Sequence, residues 1–315
     1  GGVRLVRVDD ERDGQRLDNF LAGQLKGAPR SLIYRIVRTG QVRVNGKRAK
    51  PDTRIASGDE VRIPPVRLEQ RGEEAPPPPA LLERIAAAVI FEDRDFLVLD
   101  KPAGIAAHGG SGVSHGAIEL LRALRPNDSL ELAHRLDRDT SGVLVFARRR
   151  AALTGLQALI RENRTTKQYL ALLQGHLSRA TRDVNVPLLK SSLPGGEAMV
   201  RVHKDGKPSL TRFRVIEVYD PASLVEATLE TGRTHQIRVH AQHIGHPIAG
   251  DEKYGEAALN KAMRAFGLKR LFLHAARFEF ELGGKVWSFS APLAPELSAA
   301  LDALPGRRVT KRSGR

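Results

Sequence analysis

The chain has 315 residues, 41% of them hydrophobic, which allows a large core and more than one domain. No apolar run reaches the ~18 residues that span a bilayer, no signal-peptide core opens the chain, and cysteine is absent. Membrane spans, disulfides, thiolate metal sites and thiol nucleophiles are therefore set aside, and a cytoplasmic protein is expected. With 51 Lys and Arg against 36 Asp and Glu, the net charge of +15 and pI near 10.5 point to a polyanionic partner bound by phosphate neutralisation.

Between Lys26 and Arg54 the basic residues are Lys26, Arg30, Arg35, Arg38, Arg43, Lys47, Arg48, Lys50 and Arg54, against the single acid Asp52, so more than half of the excess charge lies in this stretch. One helix is predicted near Leu17 to Leu25, and a second from Ser31, a plausible N-cap, to Gly40. Leu32, Ile33, Ile36 and Val37 make an apolar stripe on the second, and Arg35 and Arg38 share another face. Val42 and Val44 alternate with polar residues before the hairpin signal Asn45-Gly46, and Gly58-Asp59 marks a turn before Val61 to Ile63. This order of basic helices and ribbon, with RLDNFLAGQL ahead of it, resembles the S4 RNA-binding domain over Gln15 to Pro65. The resemblance implies RNA contacts from Arg30, Arg35, Arg38, Arg43, Lys47 and Arg48.

Prolines at 64, 65 and 76 to 79 mark an extended linker, assigned to residues 66–80, between an S4-like domain over 1–65 and a larger domain over 81–305. In the larger domain, Val89 to Phe91 and Phe96 to Leu99 read as strands, Lys101-Pro102 ends the second, and the glycine-rich loop Gly104 to Gly116 lacks the Gly-Lys-Ser/Thr ending of a phosphate loop. A helix is predicted from Ala117 to Leu124.

His134 to Gly142 then reads HRLDRDTSG. Arg135 and Arg138 flank Asp137, Asp139 follows, and the run Val143 to Ala147 is a buried strand, so a charged loop runs into rigid support. Such a loop suits a reactive carboxylate, and it equally suits a turn whose charges pair with one another. A helix over Ala151 to Arg161 precedes a strand over Thr165 to Gly175 carrying Tyr169, a position that packing alone would also explain. Alternating segments at Met199 to His203, Thr211 to Val218 and Leu224 to Leu229 indicate a large, mostly antiparallel sheet with a few helices, an α+β class.

In Thr231 to Gly245 a helix is predicted with Thr234 as its cap, which puts His235, Arg238 and Gln242 on one polar face. There is no HExxH pair, and no carboxylate lies within the run from Thr231 to Ile248, so no metal site is expected among its histidines. Leu271 to His274, Phe278 to Phe280 and Val286 to Phe289 are further strands, Gly283-Gly284 is a turn, and 306–315 is expected to be a disordered basic tail.

HRLDRDTSG, KQYLALLQG and GRTHQIRVH, in this order and spacing, resemble the three signature motifs of the RluA-type pseudouridine synthases from about Leu81 to Pro305. IYRIVRTGQVRVNGKR and AHGGSG are most similar to the members acting on large-subunit (23S) ribosomal RNA. The resemblance implies isomerisation of specific uridines to pseudouridine without a cofactor, by a monomer acting during subunit assembly. It implies catalytic roles for Asp137, as nucleophile or as base, for Tyr169, stacked on the target base, and for Arg238, paired with Asp137. Arg135 fills the gap left by the flipped base, and Ile237 packs beneath the pocket. Two other readings compete with this one: an RNA-binding assembly factor without catalysis, and a glycosidase-like RNA N-glycosylase.

Overall fold

In the computed structural model residues 2–25, 28, 30–66, 76–109, 115–178, 180–192 and 198–309 are described. Residues 110–114 of the glycine-rich loop, 67–75 of the linker and 310–315 of the tail lie outside them, as do the side chains of Arg30, Ser31 and Ser192. The chain divides into two units, Gly1–Pro76 and Pro77–Arg315.

The first unit contains β1 (Arg4–Arg7), α1 (Leu17–Gln24), α2 (Arg30–Arg38), β2 (Arg43–Val44), β3 (Lys47–Arg48) and β4 (Glu60–Ile63), with sheet order β1-β4-β2-β3. Leu17, Phe20 and Leu21 of α1 meet Ile33, Ile36 and Val37 of α2 and Val61 and Ile63 of β4 in one core. Gly40 (φ 73°) ends α2 as expected, with the Gln41 N–H donating back to Ile36 O. Asn45 (φ 49°) and Gly46 (φ 75°) are both left-handed, as a two-residue hairpin turn between β2 and β3 requires. Strand β1 was not legible, because its four residues are largely exposed and alternate charge with aliphatics at an edge. Arg35, Arg38, Arg43, Lys47 and Arg48 are all exposed, and no ion pair ties any of them among the described residues.

The second unit runs α3 (Pro79–Ala87), β5 (Val89–Glu92), β6 (Phe96–Lys101), α4 (Ala117–Leu124), β7 (Glu131–Leu132), β8 (Ser141–Ala147), α5 (Arg150–Arg161), β9 (Thr165–Gln174) and β10 (Thr181–Asn185). It continues with β11 (Leu188–Ser192), β12 (Ala198–Val202), β13 (Leu210–Tyr219), β14 (Ala222–Leu229), α6 (Gln236–His243), α7 (Ala257–Arg264), β15 (Leu273–Leu282), β16 (Lys285–Ser290), α8 (Pro295–Ala303) and β17 (Arg308–Val309). The main sheet has the order β10-β13-β14-β9-β15-β8-β6-β5, with β16, β17 and β7 as side pairings. It is antiparallel except where β15 runs parallel to β8, which makes the class α+β.

Strand β8 is apolar throughout because both its faces are covered. Val143, Val145 and Ala147 pack with α5 residues Leu153 and Leu156, while Leu144 and Phe146 pack with α4 residues Leu120 and Leu121. Three expectations are corrected here. Helix α3 begins inside the span read as linker, since Pro79 suits the first turn of a helix, where no N–H is needed. The two strands read at Leu271 to His274 and Phe278 to Phe280 are one strand with a bulge between Ala275 and Arg277. The tail is ordered as far as Val309: β17 pairs with β13, and Arg307 makes two hydrogen bonds to Glu217.

Candidate active site

The loop from His134 to Thr140 joins β7 to the buried β8, and its backbone is held from several sides. Lys101 Nζ, fully buried, donates to the carbonyls of Pro102 (3.0 Å), Ile105 (2.7 Å) and Arg138 (3.1 Å). Arg138 O also accepts from Gly104 N–H, and Asp137 O accepts from Thr140 N–H. Burial pushes the Lys101 pKa down to about 7, while Asp139 and Asp137 favour its charge. Past the loop, Arg270 donates to Ser141 Oγ (2.7 Å), and Ser141 pairs with His274 Nδ1 (2.9 Å), whose Nε2 reaches Ala291 O. Gly142 sits at φ 107°, and a Cβ there would lie 2.2 Å from Ala275 O, so the turn into β8 admits only glycine.

Asp137 is thereby presented, 29% exposed, at the start of a rigid strand. Arg238 Nη1 faces its Oδ2 at 3.6 Å, and His235 Nε2 faces the same oxygen at 3.8 Å. Both distances exceed a hydrogen bond. Arg238 takes its hydrogen bonds elsewhere, from Nε to Asp251 Oδ2 (2.8 Å) and from Nη2 to Asp251 Oδ1 (2.9 Å), with its guanidinium 5.0 Å from the centre of the Tyr254 ring. Asp251 is buried and also accepts the N–H groups of Lys253 and Tyr254. Burial alone would raise the Asp251 pKa, but Arg238 and these amides bring it below the usual range.

A cavity of about 150 Å³ opens beside Asp137, lined by Arg135, Lys167, Tyr169, Ile237, Arg238 and Leu273 among others. Tyr169 projects from β9, central in the sheet, where it pairs with Ala227 on one side and Ala275 on the other. Burial, with a smaller contribution from Asp137, raises the Tyr169 pKa, so the group is a phenol. Ile237 is buried and forms part of the wall. Arg135 is exposed at the cavity mouth, and among the described residues no ion pair engages it. Asp137, Tyr169, Arg238, Arg135 and Ile237 thus converge on one cavity, which continues into a cleft of about 1000 Å³ bordered by Lys190, Arg233, Lys253, Lys269 and Arg270.

The other members of the loop do different work. His134 accepts from Val145 N–H (3.1 Å) and sits 4.7 Å from the Phe278 ring, and burial pushes its pKa down to about 3, so it is a neutral packing residue. Arg138 donates to Gly104 O, and the Asp139 side chain is exposed. Helix α6 begins one residue later than read, with His235 rather than Thr234 in the cap position. Three histidines in and beside it take separate partners: His235 meets Tyr254 Oη, His240 meets Thr211 and Val186 O, and His246, beyond its end, meets Gln174 O.

Sequence reasoning missed Asp251, Tyr254, Lys101 and Lys167. The first two lie in GDEKYG, which begins five residues beyond Gly245, the last glycine of the motif helix, and a search for the carboxylate that a buried arginine needs would have reached Asp251. Lys101 was read only as a strand end.

The model of the RNA pseudouridylate synthase family matches residues 95–243, and that of the S4 domain matches residues 15–61. Curated proteins named ribosomal large subunit pseudouridine synthase C are similar along nearly the whole chain. The one from Salmonella typhi is 52% identical over 310 residues, 96% of this chain and 97% of its own. The one from Vibrio cholerae is 48% identical over 308 residues, 96% and 97%. Among solved structures, human RNA Pseudouridylate Synthase Domain Containing 1 superposes with a TM-score of 0.60 at 29% identity, covering 72% of this chain and 90% of that one. With Asp137, Tyr169 and Arg238 gathered on one cavity and relatives this similar at full length, the chain belongs to the RNA pseudouridylate synthase family, and it carries an S4 domain ahead of the synthase domain.

Proposed function

We propose that this protein converts uridines of large-subunit (23S) ribosomal RNA to pseudouridine, with Asp137 as the reacting carboxylate. The observation that carries the reading is a partly exposed carboxylate on a rigid loop, faced by a fixed arginine and opening on a cavity of about 150 Å³ walled by Tyr169 and Ile237. Such a cavity suits one flipped-out base. The reaction breaks the bond from C1′ to N1, turns the uracil, joins C1′ to C5 and releases the C5 proton to N1, so atoms balance without a cofactor. Positive charge develops at C1′ as the first bond breaks, and a carboxylate there stabilises it or traps it.

Arg238, anchored by Asp251, supplies fixed positive charge beside Asp137 and keeps the two from forming a closed pair. Tyr169 offers its ring as a stacking surface, and because it is held as a phenol it can relay the C5 proton only by passing on its own. Arg135, exposed and without an ion pair among the described residues, fills the gap that the flipped base leaves. In this reading a monomer acts in the cytoplasm on an assembling subunit, and the supply of every one of these groups by a single chain supports the monomer. Incubating a 23S transcript with the protein and mapping pseudouridine by chemical labelling and mass spectrometry tests the reading. Defined uridines should be converted; unmodified RNA, or free uracil in the medium, would sink it.

The first unit carries the RNA contacts of Arg30, Arg35, Arg38, Arg43, Lys47 and Arg48 in this reading. Removing residues 1–76 should weaken binding of the transcript and flatten the dependence of log K on log salt by several charges' worth, measured by filter binding across a salt series. An unchanged slope would remove these residues from the interface.

Lys167 gives a prediction on stability. Its ammonium lines the cavity, 5.5 Å from the Phe278 ring centre, and no acidic partner meets it among the described residues. Burial pushes its pKa down to about 8. The unfolded chain holds that proton more tightly, so the lysine's contribution to stability rises as pH climbs from about 8 to about 10. Lys167→Met should therefore stabilise the fold by about 1–3 kcal/mol at neutral pH, with the gain vanishing near pH ~10. Thermal melts at the two pH values decide it, and a gain independent of pH would show that packing, not charge, is responsible.

A further inference from the structure

His235 occupies the N-cap of α6 in the left-handed region (φ 53°), a conformation that a residue other than glycine keeps only when its surroundings over-determine it. Hydrogen-bond polarity around its ring runs one way. Val200 N–H can only donate, and it donates to Tyr254 Oη over 3.1 Å. Tyr254 Oη lies 2.7 Å from His235 Nδ1, and burial raises the tyrosine's pKa, so its proton is in place. The other ring nitrogen, Nε2, looks at Asp137 Oδ2 from 3.8 Å. A bare lone pair there would oppose the carboxylate's own lone pairs. The proton therefore sits on Nε2, Nδ1 accepts, and Tyr254 donates.

The charged groups facing the ring are Asp137 and Asp251, which favour its protonation, and Arg238 and Lys253, which oppose it; burial is the largest influence and keeps the ring neutral. Arg238 and His235 make their nearest approach to the same oxygen, Oδ2. That leaves Oδ1 as the oxygen more open to the substrate.

We propose that His235 is a positioning residue for Asp137: it presents Nε2–H to Oδ2 because Tyr254 occupies Nδ1, and through Val200 it ties the β11–β12 hairpin to the reacting carboxylate. Polarised chains of this kind strengthen each member, and a shift of well under 1 Å on substrate binding would turn the 3.8 Å approach into a hydrogen bond. The hairpin's hold on Tyr254 is reinforced by the packing of Leu188 and Val200 against Tyr254 and Val239 of α6. This inference rests on Asp137 being the carboxylate that reacts.

The test uses the full-length protein and a 23S transcript tritiated at uridine C5, whose tritium release gives kcat and KM. His235→Gln places an amide N–H near the former Nε2, whereas His235→Asn reaches only as far as Nδ1. Asparagine, however, is the better residue for left-handed backbone. A purely structural role ranks Asn at or above Gln; the proposal ranks Gln above Asn. We expect kcat within about threefold of wild type for Gln, lowered about tenfold or more for Asn and several-fold for Tyr254→Phe, with KM unchanged in all three. Asn equal to or better than Gln, or a change confined to KM, overturns the proposal. Nitrogen NMR of the imidazoles reads the tautomer without turnover: an Nε2–H signal absent from His235→Asn and converted to a mixture in Tyr254→Phe is expected, and an Nδ1–H ring in the wild type overturns the proposal. A wild type that leaves RNA unmodified would instead count against Asp137 as the reacting group, and the NMR result would still stand on its own.

Discussion

Asp137→Asn should abolish pseudouridine formation while the fold and RNA affinity stay close to wild type. Removing a group that bonds to or deprotonates the sugar forfeits stabilisation made only in the transition state, so kcat should fall on the order of 10⁴-fold or more, about 5–6 kcal/mol. Stability should move by less than about 1 kcal/mol. The reason is geometric: among the described residues the Asp137 carboxylate has no hydrogen-bond partner, Arg238 facing it only at 3.6 Å, and Arg238 remains doubly bonded to Asp251 when Asp137 changes. Binding should tighten slightly if it changes at all, since a negative charge leaves a cleft bordered by Lys190, Arg233, Lys253 and Lys269. Tritium release, a circular-dichroism melt and filter binding on the same preparation give the three numbers. Conversion within about tenfold of wild type would remove Asp137 from the chemistry.

Much of this arrangement was legible in the residues, and the parts that were not share a physical cause. Elements with a strong period or a decisive turn were read nearly to the residue: α4 over Ala117–Leu124, the start of β9 at Thr165, and the hairpin turn at Asn45-Gly46. Each is specified by its own local sequence. The three motifs contain Asp137, Tyr169, Ile237 and Arg238, and the fold brings all four to one cavity although the last lies 101 positions beyond the first. What stayed hidden was set by tertiary context. Asp251 matters because of where a turn after α6 lands, and Lys101 because three carbonyls from two loops converge on its ammonium. Neither relation has a period or a spacing. The single long β15 was split in reading because its bulge interrupts the alternation, and α3 was hidden in a proline run that reads as extended until Pro79 is seen to start a helix. Asp139 looked like an equal of Asp137 in the motif, and the fold separates them: the Asp137 carboxylate opens on the cavity beside Tyr169, while the Asp139 side chain is turned to solvent.

Asp251→Ala should cost both stability and activity, and the way the two recover separately is the sharper result. The carboxylate is buried and accepts four hydrogen bonds, two from Arg238 and two from the backbone at Lys253 and Tyr254. Without it Arg238, only 8% exposed, is a buried charge lacking its principal partner, a loss worth about 3–5 kcal/mol. Freed from Asp251, the guanidinium can close its 3.6 Å gap to Asp137 and cover the oxygen meant for the sugar, so kcat should drop about 10²-fold or more. Adding Arg238→Met should restore most of the stability, since an apolar side chain of similar volume needs no partner, but should leave activity at or below that of the single variant. The wild-type pair also fixes the acid limb. The pKa of Asp251 is lower in the fold than in the unfolded chain. Its stabilisation is therefore complete above the unfolded value of about 4 and is lost as pH falls through the depressed folded value, a loss absent from the double variant. Melts between pH ~2 and ~7 on the wild type and the double variant measure that difference directly. If the double variant regained activity together with stability, Arg238 would be a structural partner of Asp251 and nothing more, and the fixed charge beside Asp137 would have to come from elsewhere.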